Sequence, residues 1–192
     1  MNYQRTLLLT LDYINGIMHP DGKFATSAKM AKEQKVIEKA NQAIAWARNN
    51  KVLIAHVKVG FPESYANCPR HSPLFGSLPE QKALMLGTWE TEFYANLDVR
   101  SEDTIIIKHR VSAFYNTDLE TLLRANQIET LILCGVSTNY AVEMTAREAH
   151  DRDYQVITIK DACAANTPES HEQAFALALS RLTKVLNAAD LP

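Results

Sequence analysis

Short runs rich in apolar residues recur along the chain, separated by segments in which apolar residues return every three or four positions. A run of the first kind is typical of a strand buried on both faces of a sheet. Spacing of the second kind is typical of a helix with one buried face. The runs predict strands at residues 6–11, 52–59, 104–107, 131–134 and 155–159, with a short sixth strand near residues 184–187.

Helices are predicted between these strands. Residues 33–50 keep a regular apolar face, and so does the segment that follows Gly135. Cap patterns at 117–120 and 167–169 indicate the starts of two further helices. Alternating strands and helices imply parallel strands joined by right-handed crossovers. We therefore predict one domain over residues 1–192, a three-layer α/β/α sandwich around a six-stranded, mainly parallel sheet.

Residues 60–91 are the least regular part of the chain and contain four prolines. A loop this long inside a compact domain is usually a lid, a binding wall or a site of subunit contact. Trp89, near its end, could line a pocket, although packing of the aromatic ring beneath the loop is the commoner arrangement.

Three positions stand at or just beyond strand ends on the same side of the predicted sheet. Asp12 follows the first strand, Lys108 ends the third, and Ala141 lies in the turn after the fourth. Taken singly, the aspartate is more often a cap and the lysine a solvated strand end. Because parallel strands all point one way, the groups can converge, and an acid beside an ammonium in a partly dry cleft can exchange a proton with a substrate.

Composition excludes several classes of function. A net charge of −2 gives no reason to expect nucleic acid as a partner, and no apolar run approaches the length that spans a bilayer. The start of the chain does not have the pattern of a signal peptide. Cys68, Cys134 and Cys163 are odd in number and unpatterned, which is typical of reduced thiols in a cytoplasmic protein. His56, His71 and His109 lack metal-ligand spacing, so no metal or other cofactor is expected.

Five segments together resemble the isochorismatase-like cysteine hydrolase superfamily, in the right order and spacing: LLLTLDYINGIM, GTWETEF, TIIIKHRVSAFYNTDLETLL, LILCGVSTNYAVEMTAREA and VITIKDACAA. The resemblance covers about residues 6–166. It implies a six-stranded parallel sheet, commonly a homo-oligomer (a dimer or tetramer), and an Asp–Lys–Cys constellation. Asp12 and Lys108 match the first two members, and Val136–Ser137 matches a cis peptide beside the substrate site.

The third member is missing. Ala141 occupies the position of the nucleophilic cysteine, and a methyl group cannot attack a carbonyl. Cys134, on a buried strand, is better interpreted as a small core residue. Members that lack the cysteine include true isochorismatases, in which the aspartate is thought to protonate a vinyl ether and water completes the hydrolysis.

The resulting hypothesis is a cysteine-independent hydrolase of a small enol ether, carbonyl or carboxylate compound. Asp12 would transfer the proton, and Lys108 would hold the charge of the acid and position an anionic substrate. Backbone N–H groups near Tyr140 and Ala141 would stabilise a negative oxygen. Trp89, Phe114 and Tyr140 would form pocket walls beside Val136 and Ser137, with core packing as the competing explanation for the three aromatic residues.

Two alternatives stay open. The first is a catalytically silent relative that binds a ligand or partner through the same cleft, since an Asp–Lys ion pair can be purely structural. The second, a flavodoxin-like redox protein, shares the alternating pattern but would need a phosphate loop that residues 12–16 do not provide.

Overall fold

The computed structural model describes residues 1–192, and its sheet has six strands that are all parallel. Each strand coincides with one of the predicted apolar runs to within a few residues. The predicted fold class is confirmed. The strands are β1 (Thr6–Leu11), β2 (Leu53–Val59), β3 (Thr104–Lys108), β4 (Thr130–Val136), β5 (Gln155–Ala164) and β6 (Lys184–Leu186).

Every residue of β1 and β4 is buried, because helices cover both faces of this sheet. The longest, α3, packs against β1, β2 and β5. None of the helices combines the length and apolar character needed to cross a bilayer. The helices are α1 (Asn15–Met18), α2 (Ala28–Glu33), α3 (Val36–Asn49), α4 (Leu78–Gln81), α5 (Leu119–Ala125), α6 (Glu143–Asp151), α7 (Pro168–Ala174) and α8 (Ser180–Leu182).

The strand order is β3-β2-β1-β4-β5-β6. Successive strands are added towards one edge of the sheet from β1 to β3 and towards the other edge from β4 to β6, so the order reverses between β1 and β4. In open α/β sheets this reversal opens a crevice at the carboxyl ends of the central strands. Asp12 directly follows β1, and Val136 is the last residue of β4. The topology therefore places the expected site at the crevice.

Three local predictions differ from the structure. The helix expected at 33–50 is α3 but begins later, at Val36, because Lys35 takes a left-handed conformation (φ 53°) that separates it from α2, a helix that was not predicted. Strand β5 extends beyond 159: its register with β4 shifts before Cys163, and Asp161 accepts a hydrogen bond from Ala188 N (2.8 Å). The capping box at α5 does not form, since the Thr117 hydroxyl accepts from Leu119 N instead.

A buried polar cluster lies at the amino end of β3, away from the crevice. Arg48 donates to both carboxylate oxygens of Asp103 (2.8 and 2.7 Å), and His56 Nε2 lies 3.2 Å from Asp103 Oδ2. Because a carboxylate only accepts, His56 donates from Nε2 and its Nδ1 accepts from the Thr10 hydroxyl (2.7 Å). Arg48 holds the pKa of Asp103 near 2 against the effect of burial, whereas burial lowers the pKa of His56.

We expect His56 to make the protein less stable as the pH falls below 6.5. The unfolded chain then takes up a proton that the buried imidazole resists, so the free energy of unfolding decreases, by at most about 1.4 kcal/mol per pH unit for one proton. Urea unfolding at pH 7 and pH 5 should show a smaller decrease for His56→Gln than for wild type. His150→Gln, at a half-exposed side chain, is the control. Equal decreases in all three proteins would contradict the assignment.

Candidate active site

A cavity of ≈ 150 Å³ opens at the crevice, and the loops that follow the strands form its walls. Asp12, Lys108, Val136, Ser137, Tyr140 and Ala141 all line it, so six of the eight site residues expected from the sequence lie together. The peptide bond between Val136 and Ser137 is cis, as the resemblance implied. Nine of the 14 lining residues are apolar: Ile17, Phe24, Val59, Leu74, Phe75, Val111, Val136, Tyr140 and Ala141.

Asp12 and Lys108 form an ion pair at the cavity wall. Lys108 Nζ lies 2.7 Å from Asp12 Oδ2, and both side chains are almost completely buried. The other carboxylate oxygen, Oδ1, accepts from the backbone N–H of Val59 at 2.7 Å. The pair spans the end of β2, since β1 and β3 are the two neighbours of that strand. Convergence of the two groups, predicted from strand direction alone, is what the structure shows.

Burial raises the pKa of Asp12 above its ordinary value, although Lys108 and the Val59 N–H both act in the opposite direction. A carboxyl with a raised pKa keeps its proton at a higher pH than a solvated one, which suits a proton donor. The site therefore contains one carboxyl group that holds its proton more strongly than an ordinary aspartate does.

The Lys108 ammonium, expected to position an anionic substrate, already has three hydrogen-bond partners within the protein. Its ammonium donates to Arg110 O (3.2 Å) and Val111 O (2.9 Å) as well as to Asp12, and an ammonium has three hydrogens. The backbone N–H of Tyr140 is similarly engaged, by Ser137 O at 3.2 Å. These groups hold the site in shape.

Trp89 and Phe114 lie outside the cavity. Trp89 is 42 % exposed, and its ring packs edge-on against His19 at 5.0 Å. Phe114 is buried against Tyr154, at 6.2 Å between ring centroids, with the Arg152 guanidinium 4.8 Å from its centroid. Phe114 is thus a core residue, whereas Trp89 is a partly exposed surface residue.

Eight further residues line the cavity that were not expected from the sequence. Each lies in the segment that follows a strand or at its last residue, so taking every such segment as a candidate would have found them. The irregular 60–91 loop supplies two of them and so forms part of the cavity wall. The eight are Ile17, Phe24, Thr26, Val59, Leu74, Phe75, Val111 and Asn166.

No group of three or more His, Cys, Asp or Glu side chains could hold a metal ion. The histidines considered for that purpose have other partners or stand apart. His109 Nδ1 lies 2.6 Å from Gly60 O, and His56 belongs to the buried cluster with Asp103. The cavity chemistry is thus that of an acid, an ammonium and neutral groups.

Comparison with known proteins supports the resemblance to the isochorismatase-like superfamily along nearly the whole chain. The isochorismatase domain model matches residues 6–190. The uncharacterized isochorismatase family protein YecD of Escherichia coli O157:H7 is 32% identical over 191 residues, covering 100% of this chain and 96% of that protein. YwoC of Bacillus subtilis, described in the same terms, is 31% identical over 96% of this chain and 90% of its own length.

Solved structures agree. An isochorismatase-like hydrolase from Alkaliphilus metalliredigens has a TM-score of 0.80 at 27% identity, covering 96% of each chain. A cysteine hydrolase from Pseudomonas syringae has a TM-score of 0.87 at 23% identity, over 99% of this chain and 92% of its own, which shows a shared fold. The chain therefore belongs to the isochorismatase family of hydrolases.

Proposed function

We propose that this protein hydrolyses a small metabolite without a cysteine nucleophile, using Asp12 as the proton donor. The observation that carries the proposal is a buried Asp12–Lys108 pair in a cavity none of whose 14 lining residues is a cysteine. The methyl group of Ala141 faces the space in which the resemblance expects a thiol.

The three cysteines elsewhere in the chain are poor substitutes. Cys134 and Cys163 are fully buried in neighbouring strands, and burial raises the pKa of Cys134 to about 12 and that of Cys163 well above its ordinary value. Cys68 is also buried, and its Sγ donates to Phe75 O at 3.4 Å. Because the thiolate is the nucleophile, a buried thiol with a raised pKa reacts slowly.

The chemistry that fits is hydrolysis of an enol ether. Protonated Asp12 would transfer its proton to the terminal carbon of the double bond, leaving an oxocarbenium ion and the Asp12 carboxylate. Water then adds to the cation and returns a proton to Asp12, and the resulting hemiketal breaks down to a ketone and an alcohol. Lys108, fixed by two carbonyl groups, would stabilise the carboxylate between the two proton transfers.

Relatives with named activities differ in the bond they cleave. A protein of Acinetobacter baylyi that is 28% identical over 83% of this chain and 71% of its own length is named as the ureidoacrylate amidohydrolase RutB. By the resemblance, amidases of the family use the cysteine that Ala141 replaces here. An amide or ureido substrate is therefore disfavoured for this chain, and a bond broken by acid catalysis is favoured.

We expect turnover by the wild-type protein to survive native treatment with iodoacetamide. A screen of isochorismate, simple vinyl ethers, esters, amides, carbamates and ureido acids would be run before and after treatment, with mass spectrometry to count alkylated thiols. The matched control is Ala141→Cys, whose single cavity thiol should be alkylated, and whose amidase activity, if gained, should disappear on alkylation. Wild-type activity that iodoacetamide abolishes would contradict a cysteine-independent mechanism.

The same screen distinguishes an active enzyme from a catalytically silent relative. The observation that favours the silent relative is the absence of a nucleophile at Ala141. No turnover of any compound class by either protein would favour a ligand-binding role for the cavity. Amidase activity in Ala141→Cys alone would show that the wild-type site has lost only its nucleophile.

A further inference from the structure

The formal charges inside the cavity cancel when Asp12 is ionised. Only Asp12 and Lys108 among the lining residues are charged, and they are 2.7 Å apart with each side chain at most 3% exposed. The remaining polar lining groups, Thr26, Ser137 and Asn166, are neutral. A ligand that binds while Asp12 is ionised, which is the form tested below, therefore meets an ion pair that is already neutralised.

Lys108 has no hydrogen free for a ligand. All three hydrogens of its ammonium are used, by Asp12, Arg110 O and Val111 O, at 2.7 to 3.2 Å. A ligand carboxylate could bind this ammonium only by displacing the carboxylate of Asp12 or a backbone carbonyl. Either change would dismantle the pair that the proposed reaction needs.

No other cation compensates. Arg110 is close in sequence, but its side chain does not line the cavity. Its Nη1 donates to Asn67 O at 3.0 Å, and its guanidinium lies 5.8 Å from the centre of the Tyr115 ring. The guanidinium is thus committed to the outer surface of the loop.

We propose that the cavity selects small uncharged molecules and rejects carboxylates, including isochorismate with its two carboxylate groups. A carboxylate entering it would exchange hydration for largely apolar walls with no cation to pair with, which is far more costly than burying a neutral carbonyl or ether. The ≈ 150 Å³ volume matches a molecule about the size of benzene. This inference rests on the proposed function only for the identity of the cavity as the substrate site.

The test compares matched pairs that differ in charge and hardly in shape. Benzamide with benzoate, and butyramide with butyrate, would be titrated into the wild-type protein at pH 7.5 and followed by calorimetry or ligand-observed NMR. We expect each amide to bind at least about tenfold tighter than its carboxylate, and isochorismate to bind no better than benzoate. Equal or tighter binding of the carboxylates would overturn the inference, and so would the absence of millimolar binding by either member of both pairs.

A designed cation makes the test specific to charge. Thr26 lines the cavity and is exposed, so Thr26→Arg adds a guanidinium at the rim without opening the core. Benzoate should gain at least about tenfold in affinity for Thr26→Arg and nothing for the neutral control Thr26→Gln. No gain with arginine, or the same gain with glutamine, would count against charge as the selecting property. Because only binding is scored, a protein that binds the amides but turns over nothing would contradict the proposed function and leave this inference standing.

Discussion

Asp12→Asn is expected to lower turnover by about 10²- to 10⁴-fold, the usual contribution of a positioned general acid. Asparagine keeps the shape of the side chain and can still accept from Val59 N, but it has no proton to give to a substrate carbon. Steady-state kinetics on the substrate found by screening measures the loss. Asp151→Asn, at a side chain that is 83% exposed, is the control for a carboxylate lost elsewhere.

The substitution also leaves the buried ammonium of Lys108 without its counter-ion, which costs on the order of 3–5 kcal/mol when one partner of a buried pair is removed. A lower activity could then reflect unfolding. The double variant Asp12→Asn/Lys108→Met separates the two effects, since it removes both charges. We expect it to regain much of the lost stability and none of the activity. Activity that returned together with stability would show that Asp12 is structural.

The pH dependence of the wild-type enzyme follows from the same group. A general acid works only while protonated, so kcat/KM should fall as the pH rises through the pKa of Asp12. Because burial raises that pKa, the active range extends to higher pH than an ordinary aspartate would allow.

Gly135→Ala is expected to destabilise the fold by on the order of 3 kcal/mol or more, because two costs combine at this position. Gly135 has a φ of +152°, a conformation that side chains rarely adopt, and a Cβ there would lie 2.4 Å from Leu11 O. Since Leu11 directly precedes Asp12, relief of this contact would also shift the proposed general acid. Urea unfolding and kcat/KM measured on the same preparation report both effects.

Gly87→Ala provides the matched control. Gly87 also has a positive φ, +79°, but a Cβ there would meet nothing within 4 Å. Its substitution should lower the free energy of unfolding only by the cost of placing a side chain in a left-handed conformation, about 1–2 kcal/mol. It should leave kcat/KM unchanged. Similar losses of stability in the two variants would mean that the approach of β4 to Leu11 is not what requires glycine.

The strand positions and the proximity of Asp12 to Lys108 could be predicted from the sequence, because both follow from regular features of parallel sheets. Buried parallel strands need apolar runs, and their carboxyl ends share one edge of the sheet. The bulge in β5 could not be predicted, because Lys160 and Asp161 have the polarity of a strand end. In the structure Asp161 has tertiary partners that no sequence pattern records, the backbone N–H of Ala188 and the ammonium of Lys39.

The same limit applies inside the cavity. Which walls face the ligand depends on how loops from distant parts of the chain fold over the crevice, and no periodic pattern records this. The sequence predicts an anion-binding role for Lys108 because it identifies a charge but not the hydrogen-bond partners of that charge. The carbonyl groups of Arg110 and Val111 become visible only in three dimensions.

The order of strands in the sheet has a consequence for biosynthesis. Strand β1 leaves the ribosome first, yet it lies between β2 and β4, and its second neighbour ends at Val136. Until that residue has been made, one hydrogen-bonding edge of a strand that is wholly buried in the native fold stays without a partner, and such edges favour aggregation. Chains whose translation stops before residue 136 should therefore be insoluble or retained by chaperones, although they already contain both Asp12 and Lys108.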